Sequence, residues 1–125
     1  MTAIYRVDYV GEGLSEAELA PTPWQQARRW VEQADARAQA GADVPEPRAL
    51  HVATVDGSGA PNVRTVLMRF FDERGPGFVT SVDSTKGVEL AHEPRVAATL
   101  VWPVMYRAIR FRGVVEEVAA DEVSA

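Results

Sequence analysis

Two short segments of this sequence combine cationic and hydroxyl side chains in a way that could hold an anion. The first is segment 64–69, which begins with Arg64 and ends with Arg69. On an ideal β-strand these two positions have opposite parity, so their side chains face opposite sides of the sheet. The spacing therefore predicts contacts with two different anions rather than a clamp on one. Taken alone, it favours the plainer interpretation that both are solvated arginines at strand ends.

The second segment runs from Thr80 to Gly87 and places hydroxyls and a lysine at the start of a predicted helix. Helix N-termini bind phosphate through their free N–H groups and the helix dipole, and Lys86 adds a full positive charge. The alternative is an ordinary surface helix capped by Ser84. Without further context the sequence does not choose between the two.

The remaining residues of reactive type point to packing rather than chemistry. Segment 106–112 interleaves basic and aromatic residues, as platforms for single-stranded nucleic acid do. It is short, however, and the formal net charge of the chain is −5, which favours a barrel strand with arginines on its wet side. His51 and His92 have no partners at ligand spacing, so no metal site is predicted. No catalytic residue can be named from chain order alone.

Length and composition set outer limits on function. The 125 residues suffice for one domain, and 46% hydrophobic with 25% charged residues is typical of a soluble globular protein. The negative net charge would repel nucleic acid and anionic membranes, so any anionic ligand needs a local cluster of cations and N–H groups. Cysteine is absent, which excludes disulfides and thiolate chemistry. No membrane span or signal peptide is visible, and we expect a cytoplasmic protein.

The first elements are an irregular arm over residues 1–21 and then a domain over residues 22–125 that opens with a helix. Thr22 can cap this helix, Pro23 suits its first position, and Gln25 completes a capping box. Gly41 ends it. One apolar stripe recurs at steps of three and four residues, and it consists of Trp24, Ala27, Val31, Ala34 and Ala38.

From residue 49 onward the pattern is that of β-strands with short turns, which predicts an antiparallel barrel or sandwich. Because the strands are apolar on both faces, one face should fill the barrel and a helix or second subunit should cover the other. We therefore expect a dimer. The predicted strands are Ala49–Asp56, Asn62–Phe71, Phe78–Ser81, Arg95–Trp102 and Arg107–Val118, with a helix at Ser84–His92 and a helical turn at Asp121–Ala125.

Taken in order, these segments resemble the pyridoxamine 5′-phosphate oxidase family over almost the whole chain. No single motif is decisive, but their colinear run is specific. The resemblance implies a mainly β, antiparallel FMN-binding split barrel with accessory α-helices, which works as a homodimer with FMN in a groove at the subunit interface. The matching pieces include Arg6-Val7-Asp8-Tyr9, Arg29-Trp30, Ala53-Thr54-Val55-Asp56, Arg64-Thr65-Val66-Leu67-Met68, Ser84-Thr85-Lys86-Gly87, Glu93-Pro94-Arg95 and Val101-Trp102-Pro103.

The resemblance also implies roles for individual residues. Arg64 would pair with the FMN phosphate, and Lys86 would hold that phosphate at the helix start. Arg69 stands where the family usually has a lysine that contacts the substrate phosphate, so the two arginines would serve two phosphates. Arg6 and Tyr9 match a mobile arm that closes over the substrate. The implied cofactor-binding set is Arg64, Thr65, Val66, Leu67, Met68, Arg69, Val79, Thr80, Thr85 and Lys86.

The family reaction oxidises the C4′ amine or alcohol of pyridoxamine or pyridoxine 5′-phosphate to pyridoxal 5′-phosphate, which favours an FMN-dependent oxidoreductase. This sequence departs from the family at Thr85, where a basic residue is usual, and at Ala108, where a flavin-contacting glutamine is usual. Family sequences also continue beyond position 125 with residues that complete the substrate-phosphate site. Two alternatives therefore stay open. One is a non-catalytic or truncated flavin-binding dimerisation module, and the other is a split-barrel reductase that uses a flavin or a deazaflavin.

Overall fold

A computed structural model describes residues 13–41, 43–81 and 83–118. Arg6, Tyr9 and the predicted helical turn at Asp121–Ala125 lie outside these ranges. Within them no helix is long and apolar enough to span a membrane. In chain order the helices and strands are α1 (Pro23–Gly41), β1 (Ala49–Val55), β2 (Pro61–Leu67), β3 (Phe70–Asp72), β4 (Gly75–Gly77), α2 (Thr85–His92), β5 (Arg95–Trp102) and β6 (Arg107–Val114), with short 3-10 turns at Glu16–Glu18 and Pro103–Met105.

Helix α1 begins and ends where the sequence predicts. The Thr22 hydroxyl oxygen accepts a hydrogen bond from the Gln25 N–H at 3.2 Å, which satisfies one of the free N–H groups at the helix start. The reciprocal half of the predicted capping box is different, because the Gln25 side chain accepts from the Thr22 hydroxyl and not from its N–H. The apolar stripe is confirmed, since Ala27, Val31 and Ala34 are buried.

Four strands form one antiparallel sheet in the order β2-β1-β5-β6. Alternate side chains of β1 are buried, as expected for a strand with one face on the core. These buried residues pack with residues of α1 and the neighbouring strands in one hydrophobic cluster. Trp102 belongs to this cluster, and its indole N–H donates to the Pro47 carbonyl at 2.9 Å. The buried members of the cluster are Val31, Ala34, Val44, Leu50, Val52, Met68, Leu100 and Trp102.

The predicted strand Asn62–Phe71 is wrong at its end, and the predicted strand Phe78–Ser81 is wrong. The chain leaves β1 after Leu67, and the Arg69 N–H donates to the Gly77 carbonyl at 2.6 Å, which opens the separate hairpin of β3 and β4. Two glycines are required in this hairpin, one for its backbone conformation and one for lack of space. Gly75 has a φ of +116°, and at Gly77 a Cβ atom would lie 2.2 Å from Cζ of Phe70. Residues 78–81 form no strand.

The last strand is also shorter than predicted, since β6 ends at Val114 rather than Val118. The second face of the sheet, away from α1, carries exposed apolar side chains that no described residue covers. Val63 is 67% exposed, Leu67 61% and Val101 42%. The fold class is nevertheless the predicted one, mainly antiparallel β with accessory α-helices.

Candidate functional site

Arg64 lies where the edge strand β2 meets helix α2. It stands opposite Val52 in the β1–β2 register, so its side chain shares the inner face of the sheet with that residue. One terminal nitrogen, Nη1, donates to the Val52 carbonyl at 3.2 Å and to Thr54 Oγ1 at 2.7 Å. The other, Nη2, donates to Glu89 Oε2 at 3.3 Å. The guanidinium is thus held between the sheet and the helix with its side chain 21% exposed.

The described residues use three of the five N–H donors that an arginine carries. The Nε–H and the second hydrogen of Nη2 have no acceptor within the described ranges. A fork of two N–H groups on one guanidinium edge suits two oxygens of a phosphate or carboxylate. Arg64 can therefore bind an anion without releasing Thr54 or Glu89.

Glu89 is a buried carboxylate on α2 with three donors around it. The Thr54 hydroxyl donates to Oε2 through a short hydrogen bond, Asn62 donates to Oε1 at 3.4 Å, and Arg64 completes the set. The Thr54 hydrogen bond, followed by those of Asn62 and Arg64, holds the pKa of Glu89 below its ordinary value, while burial opposes this shift. Glu89 is therefore ionised at neutral pH and offsets one positive charge of the site.

The start of α2 supplies the second cationic feature. Ser84 caps the helix, accepting from the Gly87 N–H at 3.1 Å and donating to the Ser81 carbonyl at 2.7 Å. The backbone N–H groups of Thr85 and Lys86 have no acceptor in the described part of the chain, as expected for a first helical turn. Such groups and the positive end of the helix dipole attract anions.

Lys86 lies three residues before Glu89, so the two share a face of α2. Its side chain is half-buried and forms no ion pair with the described residues. Because Arg64 docks on Glu89, the structure brings Arg64 to the helix within about one turn of Lys86. The two cations that the sequence proposed for separate segments therefore lie on or against the same short helix.

The other predicted residues of segment 64–69 differ in environment. Thr65 faces the outer side of the sheet, where its hydroxyl lies 2.8 Å from Nδ1 of His51. Leu67 is exposed, Val66 is half-buried against the core, and Met68 is part of the core. Arg69 is exposed beyond the end of β2, and its side chain makes no hydrogen bond or ion pair with the described residues.

The parity argument for the two arginines assumed an unbroken strand through Arg69. That premise is wrong, because β2 ends at Leu67. The two arginines still differ in environment, one anchored at α2 and the other exposed. Since β2 is an edge strand, half of its backbone polar groups point away from the sheet and are free to meet a ligand.

Val79 and Thr80 lie in the irregular segment between β4 and α2. Val79 is 54% exposed. The Thr80 hydroxyl contacts Ser84 Oγ at 3.0 Å, so it supports the helix cap. The sequence analysis proposed that the hydroxyls of this segment could contact an anion, whereas in the structure those of Thr80 and Ser84 bond to each other.

Sequence reasoning missed Thr54, Asn62 and Glu89 as parts of the site. The local signals were weak, because a threonine in an apolar strand and a glutamate in a short helix are ordinary. The one available signal was the spacing of Glu89 from Lys86, which puts both on one helix face. Their role depends on contacts across 25, 27 and 35 residues of chain.

A family model described as pyridoxamine 5′-phosphate oxidase matches residues 25–125. A pyridoxine/pyridoxamine 5′-phosphate oxidase of Cupriavidus taiwanensis is 42% identical over 120 residues, which are 96% of this chain and 54% of that protein. The protein of the same name from Nostoc sp. is 44% identical over 117 residues, 94% of this chain and 52% of its own length. The chain thus spans about half the length of the curated relatives it matches.

Solved structures give a consistent result. PhzG from Burkholderia lata, in complex with tetrahydrophenazine-1-carboxylic acid, superposes with a TM-score of 0.75 at 26% identity, covering 89% of this chain and 54% of PhzG. An F420 reductase superposes with a TM-score of 0.52 at 29% identity, and the match covers 58% of this chain and 57% of the reductase. An FMN-binding protein from Nostoc punctiforme, related to pyridoxamine 5′-phosphate oxidase, superposes with a TM-score of 0.60 at 23% identity. The match covers 82% of this chain and 53% of that protein. These likenesses confirm the predicted antiparallel split-barrel fold.

Proposed function

Because this chain belongs to the pyridoxamine 5′-phosphate oxidase family, we propose that it binds FMN and that Arg64 and the start of α2 hold the phosphate of the cofactor. The observation that carries the proposal is that Arg64 is held against α2 through Glu89, three residues after Lys86. The chain has a net charge of −5, so an anionic ligand depends on such a local cluster.

The residues present fit a phosphate group. Within the described part of the chain, Arg64 has two N–H groups without an acceptor and Lys86 has no carboxylate partner. The N–H groups of Thr85 and Lys86, which have no acceptor among residues 13–41, 43–81 and 83–118, add two further donors. Glu89 neutralises one cation, which leaves one formal positive charge and the helix dipole to attract the phosphate.

We propose further that the protein acts as an oxidoreductase on phosphorylated forms of vitamin B6, converting the C4′ amine or alcohol to pyridoxal 5′-phosphate. Bound FMN would supply the hydride-accepting group, which molecular oxygen regenerates. Arg69, exposed just after β2, is suited to meet a second phosphate, that of the substrate. Arg6 and Tyr9 belong to this proposal through the family resemblance alone. Cytoplasmic location and a place in pyridoxal phosphate metabolism rest on the family in the same way.

The proposal includes a homodimer. Its support is the outer face of the sheet, where Val63, Leu67 and Val101 are exposed together with an uncovered groove of about 680 Å³. Uncovered apolar surface of this kind marks a contact face. Sedimentation of the purified chain should give twice the mass of 13.7 kDa, and a monomer at micromolar concentration would refute this part.

The decisive experiment compares FMN with riboflavin, which has the same ring system and no phosphate. Fluorescence titration of the wild-type chain should show tighter binding of FMN. Arg64→Ala and Lys86→Met should each weaken FMN binding about 10- to 150-fold, the value of one charge-assisted contact, and leave riboflavin unchanged. Arg69→Ala should spare FMN. Equal loss of FMN in Arg64→Ala and Arg69→Ala would show that the assignment of the two arginines is wrong.

A second candidate is a reductase that uses a deazaflavin, favoured by the likeness to F420 reductase. Mass spectrometry of the cofactor released from the purified protein separates the two, since FMN and F420 differ in mass. Peroxide release with pyridoxamine 5′-phosphate then distinguishes an active oxidase from a flavin-binding module without this activity.

A further inference from the structure

The buried carboxylate of Glu89 closes a ring of three side chains. Arg64 donates through Nη1 to Thr54 Oγ1 at 2.7 Å and through Nη2 to Glu89 Oε2 at 3.3 Å, and Thr54 donates to the same carboxylate oxygen. Thr54 is fully buried and Glu89 is 8% exposed. The ring spans β1, β2 and α2, so it joins the strand that carries Arg64 to the helix that carries Lys86.

Two attachment points fix the plane of a guanidinium, whereas one leaves it free to rotate. With both terminal nitrogens of Arg64 engaged, its remaining N–H groups have a set direction. An arginine side chain has many rotamers, and ordering it on binding costs affinity. A site in which the arginine is ordered beforehand avoids that cost.

We infer that Glu89 is a positioning residue for the phosphate site: it anchors Arg64 against α2 so that the free edge of the guanidinium and Lys86 face one anion. The inference rests on the proposed FMN site. It assigns Glu89 a role through geometry, although its own charge repels a phosphate. The buried hydrogen-bond ring is what outweighs that repulsion.

Three substitutions separate geometry from charge. Glu89→Ala removes both the carboxylate charge and the anchor. Glu89→Gln removes the charge and retains an oxygen that can accept from Thr54 and Arg64. If Glu89 acted on the phosphate only by repulsion, both variants would tighten FMN binding. Glu93→Ala is the matched control, because it removes a carboxylate at the end of α2 that pairs with Arg95 and does not contact Arg64.

The measured quantity is the riboflavin Kd divided by the FMN Kd, which isolates the part of the affinity due to phosphate. Glu89→Ala should lower this ratio about 2- to 10-fold, the cost of ordering one long side chain, with the riboflavin Kd unchanged. Glu89→Gln and Glu93→Ala should keep the ratio close to that of wild type. In an Arg64→Ala background, Glu89→Ala should change the ratio no further. Thermal unfolding of each variant confirms that it is folded.

Thr54→Val provides a second route if Glu89→Ala does not fold, since it removes the hydroxyl that links both partners and should also lower the ratio. A folded Glu89→Ala or Thr54→Val with the wild-type ratio overturns the inference. So does a loss of FMN and riboflavin affinity in equal proportion, which is the sign of a purely structural role. A wild-type chain that binds FMN no tighter than riboflavin refutes instead the proposed phosphate site on which the inference rests.

Discussion

Substituting Thr85 by arginine tests the phosphate site by a gain of affinity rather than a loss. Thr85 is the first residue of α2, it is exposed, and its N–H group has no acceptor among the described residues. It stands where family members usually carry a basic side chain. An arginine there would add a third cation beside Lys86 and Arg64, so we expect Thr85→Arg to bind FMN more tightly.

The magnitude follows from the contact and its exposure. One charge-assisted hydrogen bond contributes about 1.5–3 kcal/mol, or about 10- to 150-fold in affinity. Because position 85 is exposed, solvent screening reduces this toward about tenfold at 0.1 M salt. The gain should shrink toward nothing at 1 M salt, where the Debye length is about 3 Å. The new cation also opposes the helix dipole and should cost about 0.3–1 kcal/mol of folding stability.

The assay is a fluorescence titration of FMN and riboflavin at both salt concentrations, together with thermal unfolding. Thr85→Gln controls for side-chain length without charge. His92→Arg places an arginine at the other end of α2, about 10 Å away at 1.5 Å per residue, and should leave FMN binding unchanged. A folded Thr85→Arg protein whose FMN affinity and salt dependence match wild type would show that α2 does not face the phosphate.

Three further predictions concern the scaffold that holds the site. Gly77→Ala should destabilise the protein by about 1–3 kcal/mol in urea unfolding because its Cβ would meet the Phe70 ring, whereas Gly57→Ala, where a Cβ meets nothing within 4 Å, should be nearly neutral. Trp102→Phe should cost about 1–3 kcal/mol by the same measurement, because it leaves the part-buried Pro47 carbonyl without its donor. The pKa of Glu89 is lowered in the folded protein, so its contribution to stability is complete above its unfolded-chain pKa of 4.5 and is lost as pH falls through its lower folded value. In urea unfolding between pH 3 and pH 7, the free energy of unfolding of Glu89→Gln should therefore fall less steeply toward acid pH than that of wild type. An equally steep fall would contradict this.

Local signals predicted the regular elements well. The Thr22 cap and Gly41 bound α1, Ser84 caps α2, and β5 spans Arg95–Trp102 as predicted. Caps and glycine ends act through hydrogen bonds within a few residues, so they can be read without knowing the fold. The colinear run of short motifs along the chain likewise pointed to the family.

The residue at which β2 ends could not be predicted from local sequence signals. The pattern through Phe71 is apolar and β-type, yet β2 ends at Leu67. The Met68 N–H still bonds to Arg48, the residue just before β1, but the Arg69 N–H bonds to Gly77 in the next hairpin. A strand ends where its partner ends, and that partner is chosen by tertiary packing.

The sequence by itself determined which residues carry positive charge, where the helices begin and end, and that one face of the strands fills a core. Only the tertiary structure decided that Arg64 turns toward α2, that Thr54 and Glu89 hold it there, and that this contact falls about one helical turn after Lys86. The physical reason is that strand register and helix docking set these contacts between residues distant in the chain.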